Sequence, residues 1–529
     1  MDDVVGNYLD SLSEREFDAP FMSLLRGLGF YDIHFLHGAF EWGKDFIAKR
    51  SEEGGPVQYA FQSKAGDLDL AAWRLVRGQL DDLRTNALGH SNFDASLPRR
   101  AVLVTTGRLV GAAATDAGAY KDHLRSLGEA DFETWDRERL VEHIMGMPEV
   151  GLPRGSSSAL LGLLAAVDDR RVSAELVERH SRQWILPIGT TSTLRRIALE
   201  AAVLANRLRR NERLDLAALT ALCLLRSAWA SSAAQAEPEA EVVEAADVAR
   251  AMFCGYAREL WIRCDASALD PVEFHRAHWP SGVYVAYPAR CLGLLETLGL
   301  YALSEEAAAS GDREAIIKFV GEFVAAQPGA SHPPSDRWAV SLGPPAIALQ
   351  GRPELEPWLE AIAVWLCDHY EQEELGLARL DASPDDEAAY LLGSAFESNS
   401  VTKRSESFLA AVLLDLLTCL GLKGLYELAV NDFRAVRLYP QALHVPDDES
   451  QYARDGTARL EVNVPYPEAW EPTEGWKLTT HHRLVESYRL ERLGRSWDHI
   501  AISSVLRDRL FLPSVRALLA DRGRSPQID

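Results

Sequence analysis

The chain has 529 residues, of which 47% are hydrophobic and 25% charged, and a formal net charge of −23 at pH 7. That length exceeds what one hydrophobic core usually serves, so we expect more than one domain. The negative charge disfavours a general nucleic-acid binder, because affinity for phosphate comes mainly from Lys and Arg. The acidic N-terminus is unlike a secretory signal, and a run of about 18 apolar residues is lacking, which predicts a cytoplasmic protein that does not bind a membrane.

The cysteines indicate neither a zinc site nor a disulfide framework. They occur mostly in apolar helical contexts, without a Cys-x-x-Cys motif or paired Cys/His spacing. We therefore predict buried free thiols in a reducing compartment. The six residues are Cys223, Cys254, Cys264, Cys291, Cys367 and Cys419.

The first predicted elements are a helix and a strand. Apolar residues at helical spacing begin at Phe17 and continue to Leu28, and Gly27 and Gly29 predict the end of that helix. A strand from Tyr31 to Leu36 is expected next.

A hairpin follows. Residues Asp45 to Lys49 form an extended stretch, the acidic and glycine-rich segment from Ser51 to Pro56 predicts the turn, and Val57 to Ala65 predicts the return strand. Side chains on a strand alternate between its faces, so Gln62 and Lys64 share one face and converge on the strand end that carries Asp45.

Alternating helices and strands complete this part of the chain. The resulting order is α, three strands, α, β, α, β, α. The predicted elements are a helix at Leu70 to Arg84, a strand at Ala101 to Thr105, a helix at Gly111 to Leu127, a strand at Phe132 to Trp135 and a helix at Arg137 to Met145.

Asp45, Gln62 and Lys64 together suggest a metal-dependent phosphodiester site. Mg²⁺ takes oxygen ligands and keeps several waters, so the oxygens of Asp45 and Gln62 suffice to hold it against a phosphate. Lys64 would orient the attacking water or neutralise developing charge. The alternative is an ordinary hairpin with a chance Gln-x-Lys.

With these elements in order, the first 150 residues or so resemble the Mrr-type restriction endonucleases, a branch of the PD-(D/E)XK nuclease superfamily. The resemblance rests on motifs that agree in order and spacing. These are Gly43-Lys44-Asp45-Phe46, Gln62-Ser63-Lys64, Gln79 in the next helix, and Thr105-Thr106-Gly107 before an alanine-rich helix.

The resemblance implies a restriction-endonuclease-like fold with an αβββαβ core and a role in restriction or anti-phage defence. The family usually carries a glutamate on the first helix, and the position that matches it here is Asp18, with Glu14 one turn earlier on the same face. Asp18 is thus a candidate catalytic residue. A helix-start carboxylate favoured by the helix dipole is the alternative.

Basic residues near the site are candidates for contacts to nucleic acid. We select Lys44, beside Asp45, and Arg74 and Arg77, on the polar side of the Leu70 to Arg84 helix. A solvated helix face explains the two arginines equally well. The acidity of the chain suggests weak intrinsic affinity for DNA, and hence recruitment, oligomerisation or activation.

Beyond the nuclease-like domain, assigned to residues 1–147, the pattern changes. Residues 148–158 are rich in Gly, Pro and Ser and predict a linker. A helical domain at 159–350 and a helical or mixed region at 351–529, continuous with it, are expected. Motifs for a P-loop, a serine hydrolase or a zinc protease do not occur, and the spacing from Arg492 to His499 only loosely resembles that of HEPN ribonucleases.

The sequence therefore predicts an α/β or α+β domain followed by a large helical region. We expect an endonuclease that needs Mg²⁺, or Mn²⁺ in its place, and cleaves DNA under the control of the helical region, through homo-oligomerisation or an activating partner. RNA stays open as the substrate. A binding protein that keeps the nuclease fold without catalysis is the alternative, although a decayed site should have lost at least one of Asp45, Gln62 and Lys64.

Overall fold

The computed structural model describes twelve segments of the chain. They are residues 2–36, 45–86, 90–146, 157–185, 193–232, 239–264, 266–278, 286–371, 376–392, 404–444, 460–463 and 495–507. The chain divides into two compact units: unit 1 comprises residues 1–165 and 195–204, and unit 2 comprises 166–194 and 205–529.

Unit 1 consists of a five-stranded sheet and flanking helices. Its helices are α1 (Asp2–Asp10), α2 (Glu14–Gly27), α3 (Leu70–Thr85), α4 (Ala112–Ser126), α5 (Arg137–Gly146) and the first part of α6 (Ser157–Asp168). Its strands are β1 (Tyr31–Phe35), β2 (Phe46–Glu52), β3 (Gly55–Lys64), β4 (Arg99–Thr105) and β5 (Phe132–Trp135).

The sheet is mixed and its strands lie in sequence order. The pairs β1–β2 and β2–β3 are antiparallel, whereas β3–β4 and β4–β5 are parallel. Parallel strands need a crossover, and α3 and α4 supply the two that the topology requires. Asp45 lies just before β2 and therefore faces the C-terminal end of β3, its antiparallel partner.

Aromatic and aliphatic side chains pack on the two faces of this sheet. On one face Phe21 of α2 meets Phe46 and Phe61 edge-on, with ring centroids 5.2 and 5.4 Å apart. On the other face Trp73 of α3 is fully buried in a cluster with Leu103 and residues of α4. Period-two alternation along β2 and β3 separates these two sets, and it places Gln62, 2% exposed, on the face opposite Phe61.

The predicted element order of the first 146 residues is confirmed, with two differences. Helix α1 precedes the predicted series and was not anticipated. The predicted turn from Ser51 to Pro56 is wrong in extent, because Ser51 pairs with Pro56 and Glu52 with Gly55, leaving a two-residue turn. Gly55 adopts a φ of +112°, a conformation that permits this tight reversal. The polar residues around it are typical of a longer loop, which is why the sequence predicted one.

Unit 2 is mainly helical. Its helices are the end of α6, α7 (Ala174–Ser181), α8 (Leu194–Arg210, shared with unit 1), α9 (Leu214–Ser232), α10 (Ala240–Arg263), α11 (Pro271–His278), α12 (Tyr287–Leu303), α13 (Glu305–Ala309), α14 (Arg313–Ala326), α15 (Gly343–Ala348), α16 (Leu355–Glu371), α17 (Pro384–Leu392), α18 (Phe408–Cys419), α19 (Lys423–Ala435) and α20 (Ser496–Leu506). Its strands, β6 (Glu406–Ser407), β7 (Tyr439–His444) and β8 (Leu460–Asn463), form a small sheet.

The division into units differs from the predicted domain boundary. Residues 159–165 and 195–204 group with unit 1 rather than with the helical region. Most of the predicted linker at 148–158 lies outside the described residues, and its last two, Ser157 and Ser158, already belong to α6. The broad prediction of a mixed α/β architecture with a large helical part is confirmed.

Buried ion pairs join distant helices within unit 2. Arg250 of α10 binds Asp498 of α20 through two parallel hydrogen bonds of 2.7 and 2.8 Å, and Asp498 is fully buried. His499, the histidine of the motif compared with HEPN ribonucleases, is also buried in α20, at 8% exposure. Arg492 lies outside the described residues.

Two predictions about the chain as a whole can be compared with the structure. All six cysteines are free, and three of them, Cys223, Cys254 and Cys291, are buried. One described helix, α9, is long and apolar enough to cross a membrane, but 89% of its apolar window is buried inside the protein.

Candidate functional site

Polar residues meet where β2 begins and β3 ends. The backbone of Asp45 is fixed on both sides, since its N–H donates to the Phe61 carbonyl at 2.9 Å and its own carbonyl accepts from the Leu36 N–H at 2.8 Å. Asp45 therefore bridges β1 and β3 through its main chain. Its side chain is held at a defined position before any side-chain contact is considered.

The Asp45 carboxylate contacts two successive residues of β3. Its Oδ2 accepts from the Gln62 Nε2 and from the Ser63 backbone N–H, each at 2.7 Å. Sequence analysis predicted the approach of Gln62 to Asp45, and the structure brings them together. The Ser63 backbone donor was not anticipated, because a main-chain N–H has no sequence signature.

The amide oxygen of Gln62 stands out chemically. The Gln62 side chain is only 2% exposed, and its Oε1 atom is buried without a hydrogen-bond partner. The amide orientation follows from the contact with Asp45, because the opposite orientation would place two oxygens 2.7 Å apart. A buried acceptor without a donor costs about 1–3 kcal/mol, so it calls for an explanation such as a bound cation.

Asp45 and Gln62 are the residues whose oxygens fit a hard cation here. A carboxylate and an amide oxygen are ligands of the type that Mg²⁺ takes, with waters and phosphate oxygens completing its shell. In the part of the chain that the structure describes, no group of three or more His, Cys, Asp or Glu side chains converges on one point. A site built only from protein ligands, as for zinc, is therefore not seen there.

Lys64 lies at the last position of β3 and contacts α2. Its Nζ is 3.2 Å from Oε1 of Glu14, the first residue of that helix. The Glu14 side chain is 50% exposed and that of Lys64 22% exposed, so the pair is weak. The ammonium group is therefore held near the strand end by a partner that the solvent screens.

The carboxylates of α2 differ in their surroundings. Glu14 is the one that contacts Lys64, whereas Asp18 lies one turn further along and is partly buried. Glu16 is engaged at the helix start, where its carboxylate accepts from the Ser13 backbone N–H and hydroxyl. Of the two acids considered from the sequence, the structure thus joins Glu14 to Lys64.

The basic residues selected for nucleic-acid contacts have different environments. Arg74 is exposed on α3. Arg77 is only partly exposed, and its guanidinium lies 3.9 Å from the centre of the Tyr120 ring. Lys44 lies outside the described residues.

A shallow depression of about 660 Å³ lies at the hairpin turn, toward the end of β3 opposite Lys64. Its lining includes Arg50, Arg100 and Arg139, but also Glu52 and Glu133. Arg100 is already paired with both of these acids, at 2.7 and 3.4 Å. Because its charges are balanced internally, this depression lacks the unsatisfied acceptor that marks the Asp45 site.

Comparison with protein-family models, with curated proteins and with solved structures found no match to this chain.

Proposed function

We propose that the protein is a Mg²⁺-dependent endonuclease that hydrolyses phosphodiester bonds in DNA. The observation that carries the proposal is the unsatisfied, buried Gln62 Oε1 beside the Asp45 carboxylate, with the Lys64 amine two residues further along the same strand. These three side chains combine two candidate oxygen ligands with one ammonium group. That combination suits a phosphate and is unnecessary in an ordinary hairpin.

Each residue has a distinct role in this proposal. Asp45 and Gln62 would hold Mg²⁺, or Mn²⁺, which when bound polarises the phosphoryl group and lowers the pKa of a coordinated water. Lys64 leaves Glu14 to bind a phosphate oxygen and to stabilise negative charge as it develops. Asp18 would assist as a further carboxylate, and Lys44, Arg74 and Arg77 would contact the nucleic-acid backbone.

The fold and the sequence support the same proposal. Helix α2, strands β1 to β3, helix α3 and strand β4 follow one another in the αβββαβ order of a restriction-endonuclease-like core. Gln62 to Lys64 end β3, Gln79 lies on α3 and Thr105 ends β4, which supports the resemblance from which the proposal starts. We accordingly propose a cytoplasmic role in restriction or anti-phage defence, with RNA as the alternative substrate.

Plasmid cleavage in the presence of Mg²⁺ or Mn²⁺ tests the proposal. The wild type should nick or linearise the plasmid, and Asp45→Ala and Lys64→Ala should each abolish cleavage while remaining folded at the assay temperature. Lys318→Ala, which removes an exposed lysine of α14 in unit 2, is the control and should keep cleaving. Full activity in either site variant would refute the assignment.

Two further arms separate the alternatives. Asp18→Asn should slow cleavage more than Glu14→Gln. An unchanged cleavage rate in Asp18→Asn would show that Asp18 has only a structural role in α2. Binding of DNA without cleavage under every metal condition would favour a non-catalytic binding module. Cleavage of single-stranded RNA but not of DNA would identify a ribonuclease.

A further inference from the structure

The end of β4 lies directly beside Lys64. In the parallel register Lys64 pairs with Thr105, and the Thr106 backbone N–H donates to the Lys64 carbonyl at 3.2 Å. Thr105 and Thr106 are 0% and 1% exposed. The two threonines are thus buried against the residue that carries the proposed catalytic amine.

Their hydroxyls bind both backbone groups of Gly66, two residues beyond Lys64. The Thr105 hydroxyl donates to the Gly66 carbonyl at 2.7 Å, and Thr106 Oγ1 accepts from the Gly66 N–H at 2.9 Å. Gly66 adopts a φ of +73°, a conformation that favours glycine. The chain is therefore fixed on both sides of its reversal after Lys64.

Gly107 allows this close approach. A Cβ atom at Gly107 would lie 2.2 Å from the carbonyl carbon of Gly66 and 2.4 Å from the Asp67 nitrogen. Neither backbone atom can move aside as a flexible side chain would. Any larger residue at position 107 would push the segment that follows Lys64 away from β4.

We propose that Thr105, Thr106 and Gly107 form a backbone clamp that positions Lys64 for phosphodiester cleavage. This inference rests on the proposed nuclease function. Lys64 is the last residue of its strand, and strand ends open more readily than strand centres unless they are tied down. Because a displacement of about 1 Å can cost about 100-fold in rate, holding the Lys64 backbone is a direct requirement of its role.

Isosteric substitution tests the clamp in the full-length protein. Thr105→Val and Thr106→Val remove a hydroxyl without changing volume, whereas Thr105→Ser and Thr106→Ser keep it. We expect each valine variant to lower kcat for plasmid cleavage by about 10- to 100-fold with KM nearly unchanged, and each serine variant to retain the wild-type kcat. Thr220→Val, a buried threonine in α9 of unit 2, is the matched control and should cleave normally.

A second readout separates the clamp from the proposed function. Amide hydrogen exchange at Gly66 should accelerate in Thr106→Val and stay at the wild-type rate in Thr106→Ser, whether or not the protein cleaves DNA. Absence of cleavage in the wild type with normal protection of Gly66 would refute the nuclease and leave the clamp standing as a fold element. The proposal that the clamp positions Lys64 would be wrong if both valine variants kept the wild-type kcat. It would also be wrong if the serine variants lost kcat to the same extent as the valine variants.

Discussion

Gln62 distinguishes the candidate site from a site built on two carboxylates. Its amide nitrogen donates to Asp45, whereas a second carboxylate at this position would repel the Asp45 carboxylate. Its oxygen is left unsatisfied in the protein interior. The same side chain therefore fixes Asp45 through a hydrogen bond and, in the proposed site, would offer its oxygen to the metal.

Gln62→Glu should make the stability of the protein depend on metal. The new carboxylate loses the hydrogen bond to Asp45 and repels it, so we expect a lower melting temperature in EDTA that recovers on adding Mg²⁺. Because the variant gains a charged oxygen, its metal affinity should equal or exceed that of the wild type, and cleavage should continue. Thermal melts and Mn²⁺ titration measure these effects. Gln58→Glu is the matched control, since Gln58 is equally buried on β3 but bonds to the Ala48 carbonyl; its destabilisation should not respond to Mg²⁺.

If Gln62→Glu fails to recover with Mg²⁺, or loses metal affinity altogether, Gln62 is not a ligand. Recovery of Gln58→Glu to the same extent would show that the metal acts elsewhere on the protein.

At the scale of elements, β1 is held to β2 by a polar cluster around Asp32. Asp32 has a φ of +51°, unusual for a residue other than glycine. Its carboxylate accepts from Lys49 at 2.7 Å, His34 at 2.8 Å and Asn92 at 2.9 Å. The hydrogen bonds from Lys49 and then His34 lower its pKa to about 2, against the opposing effect of desolvation.

We expect this cluster to contribute stability that disappears in acid. A carboxyl group whose pKa is lower in the folded than in the unfolded state stabilises the fold above its unfolded pKa, near 3.8, and loses that contribution as the pH falls toward about 2. Asp32→Asn should therefore be less stable than wild type at neutral pH, and the difference should shrink between pH 4 and 2. Urea unfolding across that range measures it; a constant difference would contradict the prediction.

A buried ion pair between Arg250 and Asp498 joins α20 to α10, beside the packing of Trp497 on Phe253. Asp498→Ala would leave Arg250 buried without its bidentate partner, so we expect a loss of about 3–5 kcal/mol in the free energy of unfolding of unit 2. Asp247→Ala is the matched control: Asp247 also pairs with Arg250, but its side chain is 56% exposed, and we expect a loss below about 1 kcal/mol. Equal losses in the two variants, measured by denaturant unfolding, would contradict the argument.

At the scale of the whole molecule, the chain combines a unit built on a five-stranded mixed sheet with a larger, mainly helical unit, and it carries a net charge of −23. Of the residues selected for nucleic-acid contact, Arg77 is engaged with the Tyr120 ring and so offers little free charge to DNA. Long-range attraction to DNA should accordingly be weak. We propose that the helical unit compensates through self-association or an activating partner.

Cleavage should therefore rise more steeply than linearly with protein concentration. One site cuts one strand, so a double-strand break needs two sites on the same DNA, which a homo-oligomer supplies. Measuring nicked and linear plasmid against concentration of the full-length protein tests this, with sedimentation at the same concentrations reporting the oligomeric state. Linear dependence for both products, from a protein that stays monomeric, would show that self-association does not control cleavage.

Local sequence patterns predicted much of unit 1. The helical spacing from Phe17 and the period-two alternation of β3 identified the elements and brought Gln62 to Asp45, because both signals act over a few residues. The extent of the turn at Ser51 to Pro56 was predicted wrongly because composition alone does not report strand pairing. The segment is polar like a loop, yet its first two and last two residues pair across the hairpin and extend both strands.

Sequence alone thus determined the element order from α2 to α5 and the meeting of Asp45 with Gln62, since side-chain periodicity and hairpin pairing decide these locally. Tertiary structure alone decided that Glu14 contacts Lys64, 50 positions away, and that Thr105 contacts Gly66, 39 positions away. It also decided that Arg77 stacks on Tyr120. Such contacts depend on how helices pack against the finished sheet, and no spacing along the chain specifies which distant residue will lie opposite.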